Sequence, residues 1–266
     1  MSAEVEEGFL RLDGETWEAR WIGPGPGAAP TLVFLHEGLG CVGMWKDFPD
    51  QLAAATGCGS FVYSRAGYGK SDSVELPRTL DYMQDEGRHT LPRILDAMGI
   101  KRAILVGHSD GASIAIVSGS LDQDDRIEGL ILEAPHVFTE DLGLDSIAKI
   151  KSIYETTDLR ERLVHHHSDN VDCAFYGWNG AWTDPKFRDW NLEEFLPAIS
   201  APALLVQGEN DEYGTIDQIR AIERQSGGEV ETLLLADCGH SPHRDQHDAV
   251  LKKMTEFVEK LLEQGR

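Results

Sequence analysis

Three short segments hold residue types that together do acyl-transfer chemistry. The first is Leu105-Val-Gly-His-Ser-Asp-Gly111, with Ser109 between Gly107 and Gly111. It follows the apolar run Ala103-Ile-Leu-Val106 and precedes a small-residue stretch from Ala112 to Gly119. A Ser at such a strand-to-helix junction rides a sharp turn that flanking side chains would obstruct. The helix N-terminus behind it favours developing negative charge. Its hydroxyl is a weak nucleophile, so it needs a base, and the base needs an orienting group. The second segment, Gln207 to Gly214, offers Asp211, with Glu209 and Glu212 as rivals. The third, Asp237 to His243, offers His240, with His243 as its rival. His240 follows Gly239, which permits a close approach, whereas His243 follows Pro242 and is expected to face outward or brace the loop.

These residues need a scaffold that gathers loops from distant parts of the chain. The stretch from Gly8 to Ile22 reads as an antiparallel hairpin, followed by a stiff Gly23-Pro-Gly-Pro-Gly27 connector. Apolar runs at Thr31–Leu35, Ser60–Tyr63, Ala103–Val106, Ile127–Leu132, Ala203–Val206 and Val230–Leu235 read as buried strands. Helical stretches lie between them: Trp45 to Thr56, Thr79 to Met98 with an interruption at Pro92, Ala112 to Gly119, and Asp248 to Leu262. Strands alternating with helices predict an α/β fold, a doubly wound and mostly parallel sheet of about eight strands. The interval from His136 to Ser200 has no strong strand; it holds a helical stretch, Asp145 to His167, then an aromatic-rich piece. The expected organisation is a core of residues 1–135 and 201–266, with a helical lid, 136–200, inserted after the sixth strand. Its place over the carboxyl ends of the strands is where open α/β sheets bind ligands.

Composition excludes several function classes. The chain has 266 residues, 24 Lys and Arg against 46 Asp and Glu, and a formal charge of −22. That field repels nucleic acid and anionic membrane surfaces. At 41% hydrophobic and 26% charged, with six Trp and nine Phe, the chain is not a disordered one. No window approaches the length of an apolar membrane helix. The acidic start, Met1 to Glu7, lacks the basic and apolar segments of a secretory signal. Cys41, Cys58, Cys173 and Cys238 are scattered without a C-x-x-C pair, so no disulfide framework or zinc ribbon is expected. The expectation is a cytoplasmic protein with reduced thiols.

Taken together, these segments resemble the α/β-hydrolase fold superfamily, over nearly the whole chain. The resemblance is carried by His36-Glu37-Gly38 after the first central strand, Arg65-Ala-Gly-Tyr-Gly-Lys-Ser71 after the next, Gly107-His-Ser-Asp-Gly111, Gly208-x-x-Asp211 and Gly239-His240. It implies a Ser109–Asp211–His240 triad, with an oxyanion hole formed by the N–H groups of Asp110 and Gly38. It also has departures. Glu37 replaces a usual Gly, Ser64 stands where Asp commonly precedes the Arg, and Asp110 follows the nucleophile where small or apolar residues are frequent. An ionised Glu37 aimed at the oxyanion would oppose catalysis, so it is expected to turn away, toward Arg65. A Ser at position 109 disfavours branches with an Asp nucleophile, haloalkane dehalogenases and epoxide hydrolases.

The expected activity is serine hydrolysis of a small carboxylic ester, lactone or thioester. The alternatives are carbon–carbon bond hydrolysis of a vinylogous diketone and a non-catalytic small-molecule receptor. The expected substrate pocket includes Trp45, His136, Trp178, Trp182 and Tyr213. No cofactor and no metal are expected. His165-His-His167 reads as a solvated face of the lid, and the His240, His243, His247, Asp245, Asp248 group as a loop rather than a metal site. The expected partner is a small-molecule substrate, with no nucleic acid and no membrane. Self-association into a homodimer is left open.

Overall fold

The computed structural model describes residues 5–264. Its sheet has eight strands: β1 (Phe9–Leu12), β2 (Glu15–Ile22), β3 (Thr31–Leu35), β4 (Gly59–Tyr63), β5 (Ala103–His108), β6 (Ile127–Glu133), β7 (Ala203–Gly208) and β8 (Val230–Leu235). Their spatial order is β1-β2-β4-β3-β5-β6-β7-β8. The β1–β2 and β2–β4 pairs are antiparallel, and every other pair is parallel.

The helices are α1 (Phe48–Thr56), α2 (Tyr82–Asp85), α3 (Leu91–Ala97), α4 (Asp110–Ser120), α5 (Asp141–Thr156), α6 (Leu159–His167), α7 (Val171–Trp182), α8 (Ile216–Gln225), α9 (Pro242–Asp245) and α10 (His247–Gln264). Alternate strand residues enter two different cores, as a pleated strand requires. Leu32, Phe34, Ile104, Val106 and Ile131 pack with Phe48 and Leu52 of α1 and with Val250, Met254, Phe257 and Leu261 of α10. Val33, Leu35, Leu105, Leu130 and Leu132 pack with α3, α4 and α8. β3, β4, β5 and β7 are buried along their whole length, which explains their continuous apolar character.

Two helical stretches depart from the regular form that their periodicity suggests. The Trp45 to Thr56 stretch is a single turn, Val42–Trp45, and then α1. Lys46 at φ +53° separates them, and Pro49 opens the second piece. In the Thr79 to Met98 stretch the backbone stays helical from α2 into α3, and the interruption expected at Pro92 is a widened turn just before it, which suits a residue without an N–H. This turn spans Glu86–Thr90. Gly87 there lets the chain pass so close to α4 that a side-chain carbon would meet the Ile114 carbonyl at 2.8 Å.

Between β6 and β7 the chain leaves the sheet to build α5, α6 and α7. Its two ends are joined by an antiparallel bridge between Phe138 and Asn191. The segments singled out by their chemistry all follow carboxyl ends of parallel strands: His36 after β3, Ser109 after β5, Asp211 after β7 and His240 after β8.

Candidate active site

Ser109 joins β5 to α4 in a backbone conformation that L-residues rarely adopt, φ +54° and ψ −117°. The strain is held in place by hydrogen bonds. Its N–H donates to the Glu133 carbonyl at 2.9 Å, and its carbonyl accepts from the N–H groups of Ala112 and Ser113 at 2.9 and 3.1 Å. A Cβ on Gly111 would overlap the Leu35 carbonyl, and one on Gly107 would overlap the Gly111 carbonyl. Both flanking glycines are therefore demanded by backbone crossing at the turn.

The acid and the imidazole meet across 29 residues of sequence. His240 Nδ1 lies 2.8 Å from both carboxylate oxygens of Asp211. Asp211 also accepts from Gln207 Nε2 and the Tyr213 N–H, each at 2.8 Å, and from the Gly214 N–H at 3.3 Å. Burial alone would push the Asp211 carboxyl up; the His240 imidazole and the Tyr213 N–H outweigh it and hold it below the usual range. With Nδ1 bound to the carboxylate, Nε2 is the imidazole atom left for a reacting group. The rivals lie elsewhere. Glu209 and Glu212 are exposed. His243 is buried, contrary to an outward-facing reading, and braces the loop from beneath with its Nδ1 2.7 Å from Glu133 Oε2.

Ser109 and His240 line one cavity of about 100 Å³, with Glu37, Gly38, Leu39, Asp110, His136, Ile147, Trp178, Trp182 and Tyr213. Four of the five residues expected to form the pocket are there, and Trp45 is not. Its ring packs on the opposite face of the sheet, 5.1 Å from Phe34 and 4.9 Å from His243, because the turn ending at Trp45 directs it into the α1–α10 core. Burial pushes His136 down to about 3, with His240 adding to the effect, so it faces the cavity as a neutral ring. Sequence reasoning missed Ile147, whose place on α5 carries no signal that separates a cavity wall from core.

Gly38 and the Asp110 N–H border the same cavity. Asp110 opens α4, where an N–H has no carbonyl one helical turn behind it. The Glu37 carboxylate folds back over Gly40 and pairs with Arg244 at 3.2 Å and His108 Nδ1 at 3.6 Å. It does not reach Arg65. The Arg65 guanidinium instead binds the main-chain carbonyls of His36 and Glu37, at 2.6 and 3.2 Å. A buried Arg there satisfies two loop carbonyls at once, which a carboxylate pairing would forgo.

The Asp110 side chain is turned away from the Ser hydroxyl into a buried network. Tyr82 Oη donates to Oδ2 at 2.5 Å, Trp182 Nε1 to Oδ1 at 3.3 Å, and Arg65 lies 3.6 Å away. Burial raises its carboxyl, and Arg65 and the two donors offset that only in part. The histidine run is also more structured than a solvated face. His165 and His166 are exposed, but His167 is fully buried, since Nδ1 accepts from the Gly69 N–H and Nε2 meets the Leu39 carbonyl, both at 3.0 Å. His108, Glu133 and His243 bring ligand-type atoms within 4.8 Å of one another beneath the His240 loop, apart from the cavity-lining residues. Among the described residues no helix is long and apolar enough to cross a membrane.

Residues 32–253 match the model of the alpha/beta hydrolase family. The chain belongs to that family and is a hydrolase by class. It is 29% identical over 258 residues to a 2-hydroxy-6-oxononadienedioate/2-hydroxy-6-oxononatrienedioate hydrolase of Paraburkholderia phymatum, covering 86% of each chain. It is 22% identical to epoxide hydrolase 3 of Xenopus tropicalis, covering 97% of this chain and 79% of that one. Among solved structures, a thermophilic esterase from Thermogutta terrifontis superposes with a TM-score of 0.71 at 18% identity, covering 96% of this chain and 97% of that one. The enol-lactonase from Burkholderia xenovorans gives 0.70 at 20%, covering 94% and 99%. At these identities the structures share the fold.

Proposed function

We propose that the protein is a serine hydrolase of small carboxylic esters, lactones or thioesters, with α5–α7 as a lid over its site. The observation that carries this reading is the strained Ser109 on the wall of a cavity it shares with His240, whose far nitrogen is held by Asp211. Ser109 attacks the substrate carbonyl as His240 Nε2 takes its proton, and Asp211 stabilises the imidazolium. The N–H groups of Asp110 and Gly38 bind the oxyanion. His240 then returns the proton to the leaving group, and water repeats the sequence on the acyl-enzyme.

Two readings suggested by relatives fit less well. The Paraburkholderia relative is named for hydrolysis of a dicarboxylate, yet the residues lining this cavity include no Lys or Arg to receive a carboxylate. An epoxide hydrolase reading needs a carboxylate nucleophile at the elbow, where this chain has Ser109; the adjacent Asp110 carboxylate is held by Tyr82 and Trp182. A small cavity walled by Leu39, Ile147, Trp178, Trp182 and Tyr213 supports short neutral acyl groups.

The test is labelling by a fluorophosphonate together with turnover of p-nitrophenyl acetate, both lost in Ser109→Ala. Folded wild-type protein that does neither would leave a non-catalytic receptor as the better reading.

A further inference from the structure

Among the described residues the indole N–H of Trp178 has no acceptor. Three other indoles donate to protein oxygens: Trp21 to the Pro24 carbonyl at 3.1 Å, Trp182 to Tyr82 Oη at 3.0 Å and Trp190 to Gln84 Oε1 at 3.3 Å. Trp45 Nε1 is sealed in the core without a partner. Among the described residues Trp17, buried beneath the Arg93 guanidinium, likewise has no acceptor for its indole N–H, but of these two only Trp178 lines the cavity. Its side chain, only 7% exposed, forms part of the cavity wall beside Ser109. Unlike Trp45 Nε1, the Trp178 Nε1 is not sealed from solvent, so its N–H is free to donate to whatever occupies the cavity.

The place of that donor is set against Gly38. A Cβ built on Gly38 would overlap the pyrrole edge of the Trp178 ring, with Nε1 the nearest atom and Cδ1 and Cε2 next. The N–H corner of the ring therefore lies against the backbone of the residue assigned as an oxyanion donor. The helix that carries the ring is braced. Phe175 stacks on Tyr154 with centroids 3.6 Å apart, and Asn179 Nδ2 ties α7 to the Ile147 carbonyl of α5 at 2.8 Å. A donor on a braced helix loses little freedom when it binds.

We infer that Trp178 Nε1–H is a third donor to the substrate carbonyl oxygen, completing from the insertion an oxyanion site whose other donors, Gly38 and Asp110, belong to the core. This rests on the serine hydrolase reading. It makes catalysis depend on the seating of α7: with α7 displaced, Ser109 and His240 remain in place but the developing negative charge loses one of its three partners. It also accounts for a glycine at position 38, where any side chain would drive the indole off the site.

The experiment compares wild-type protein with Trp178→Phe and with β-(3-benzothienyl)alanine at position 178, which replaces the N–H by sulfur and keeps the bicyclic shape. Removing one oxyanion donor lowers kcat by about 10²-fold, so that loss is expected for p-nitrophenyl acetate in both variants, with KM within about threefold of wild type. The rate of fluorophosphonate labelling falls with kcat, because the phosphoryl oxygen takes the same place. An active wild type with unchanged kcat in the benzothienyl protein overturns the donor and leaves the hydrolase reading standing. A raised KM at constant kcat overturns it too, since the N–H would then hold the substrate equally in ground and transition states. A wild type that neither labels nor turns over acetate overturns both readings.

Discussion

His108 and Glu37 face each other at 3.6 Å, across the seam between the strand that carries Ser109 and the loop that carries Gly38. The same His108 meets the main-chain carbonyl of His240 through Nε2 at 2.6 Å, and the same Glu37 pairs with Arg244 four residues beyond His240. The His108–Glu37 contact thus links the turn at Ser109, the loop at Gly38 and the loop at His240. Glu133 also acts on His108 from β6, and the His240 and His243 rings each lie 5.3 Å from it.

The pair makes stability depend on pH in a defined window. Burial pushes Glu37 up, but His108 and Arg244 outweigh it and hold the carboxyl well below its ordinary 4.5. Burial pushes His108 down, but Glu37 and Glu133 outweigh it and raise the imidazole above 6.5. A depressed carboxyl contributes above its unfolded value and loses that contribution as pH falls through its folded value. A raised imidazole contributes fully below its unfolded value and loses that contribution as pH rises through its folded value. Both are complete between pH 4.5 and 6.5. Glu37→Gln is expected to cost about 1–3 kcal/mol there, and less as the pH rises past the His108 value. Urea midpoints from pH 5 to 9 measure this, and a loss independent of pH would refute it.

Asp211 and its two acidic neighbours separate by kinetics. Asp211→Asn keeps the fold but lets the amide present an N–H to His240 Nδ1, which sets the wrong tautomer. A fall in kcat of about 10⁴-fold is expected. Glu209→Gln and Glu212→Gln, at exposed positions, are expected to stay within threefold of wild type, about 0.7 kcal/mol. A comparable loss in either would move the acid off Asp211.

The Asp110 carboxylate should matter for stability more than for turnover, because it is tied into the Tyr82–Trp182–Arg65 network and the proposed hydrolysis uses only the Asp110 N–H. Tyr82→Phe removes the donor at 2.5 Å and is expected to cost about 1–3 kcal/mol. Arg65→Met strips the buried cation and is expected to cost about 3–5 kcal/mol, which Asp110→Asn in the same chain should partly restore. Asp110→Asn alone is expected to hold kcat within about tenfold. Denaturation midpoints and p-nitrophenyl acetate kinetics check all four proteins, and a kcat loss near that of Ser109→Ala in Asp110→Asn would give the side chain a chemical role.

The contrast between Asp211 and His167 shows what the sequence made legible. Strands buried on both faces announce themselves as apolar runs, and Ser109 and Asp211 each follow one, while His240 follows the half-buried edge strand β8. Chain order and flanking glycines nominated these residues, and the structure sets His240 against Asp211 and on one cavity with Ser109. Trp45 and His167 were misplaced for the opposite reason. Each belongs to a helical segment whose rotation about its axis is fixed by tertiary packing: the Val42–Trp45 turn against β3 and α9, and α6 against the loops at Leu39 and Gly69. Three consecutive histidines give no periodicity from which to choose the buried one. The Glu37 pairing with Arg244 was hidden for a similar reason, since it spans 207 residues of sequence.

His167 supplies an acid-side prediction. Its Nδ1 accepts from the Gly69 N–H, so the folded imidazole is neutral with its proton on Nε2, directed at the Leu39 carbonyl. Burial is the main cause that pushes it below 6.5, opposed by the Leu39 carbonyl, with His166 lowering it and Glu37 raising it. A second proton would set Nδ1–H against Gly69 N–H and undo the contact between α6 and the two loops. Here the unfolded chain takes up the proton first, so stability falls as pH drops below 6.5, with a slope of at most about 1.4 kcal/mol per pH unit for one such group. His167→Gln supplies an acceptor and a donor that do not titrate. It is expected to cost about 1–2 kcal/mol at pH 7.5 through imperfect geometry, and to flatten the decline between pH 6.5 and 5. Some decline should remain, because His36 is buried and depressed in the same way, its Nε2 accepting from the Arg65 N–H at 3.0 Å. Urea midpoints of both proteins at pH 7.5, 6.5 and 5.5 decide it: converging curves are expected, and parallel curves would remove His167 from the acid response.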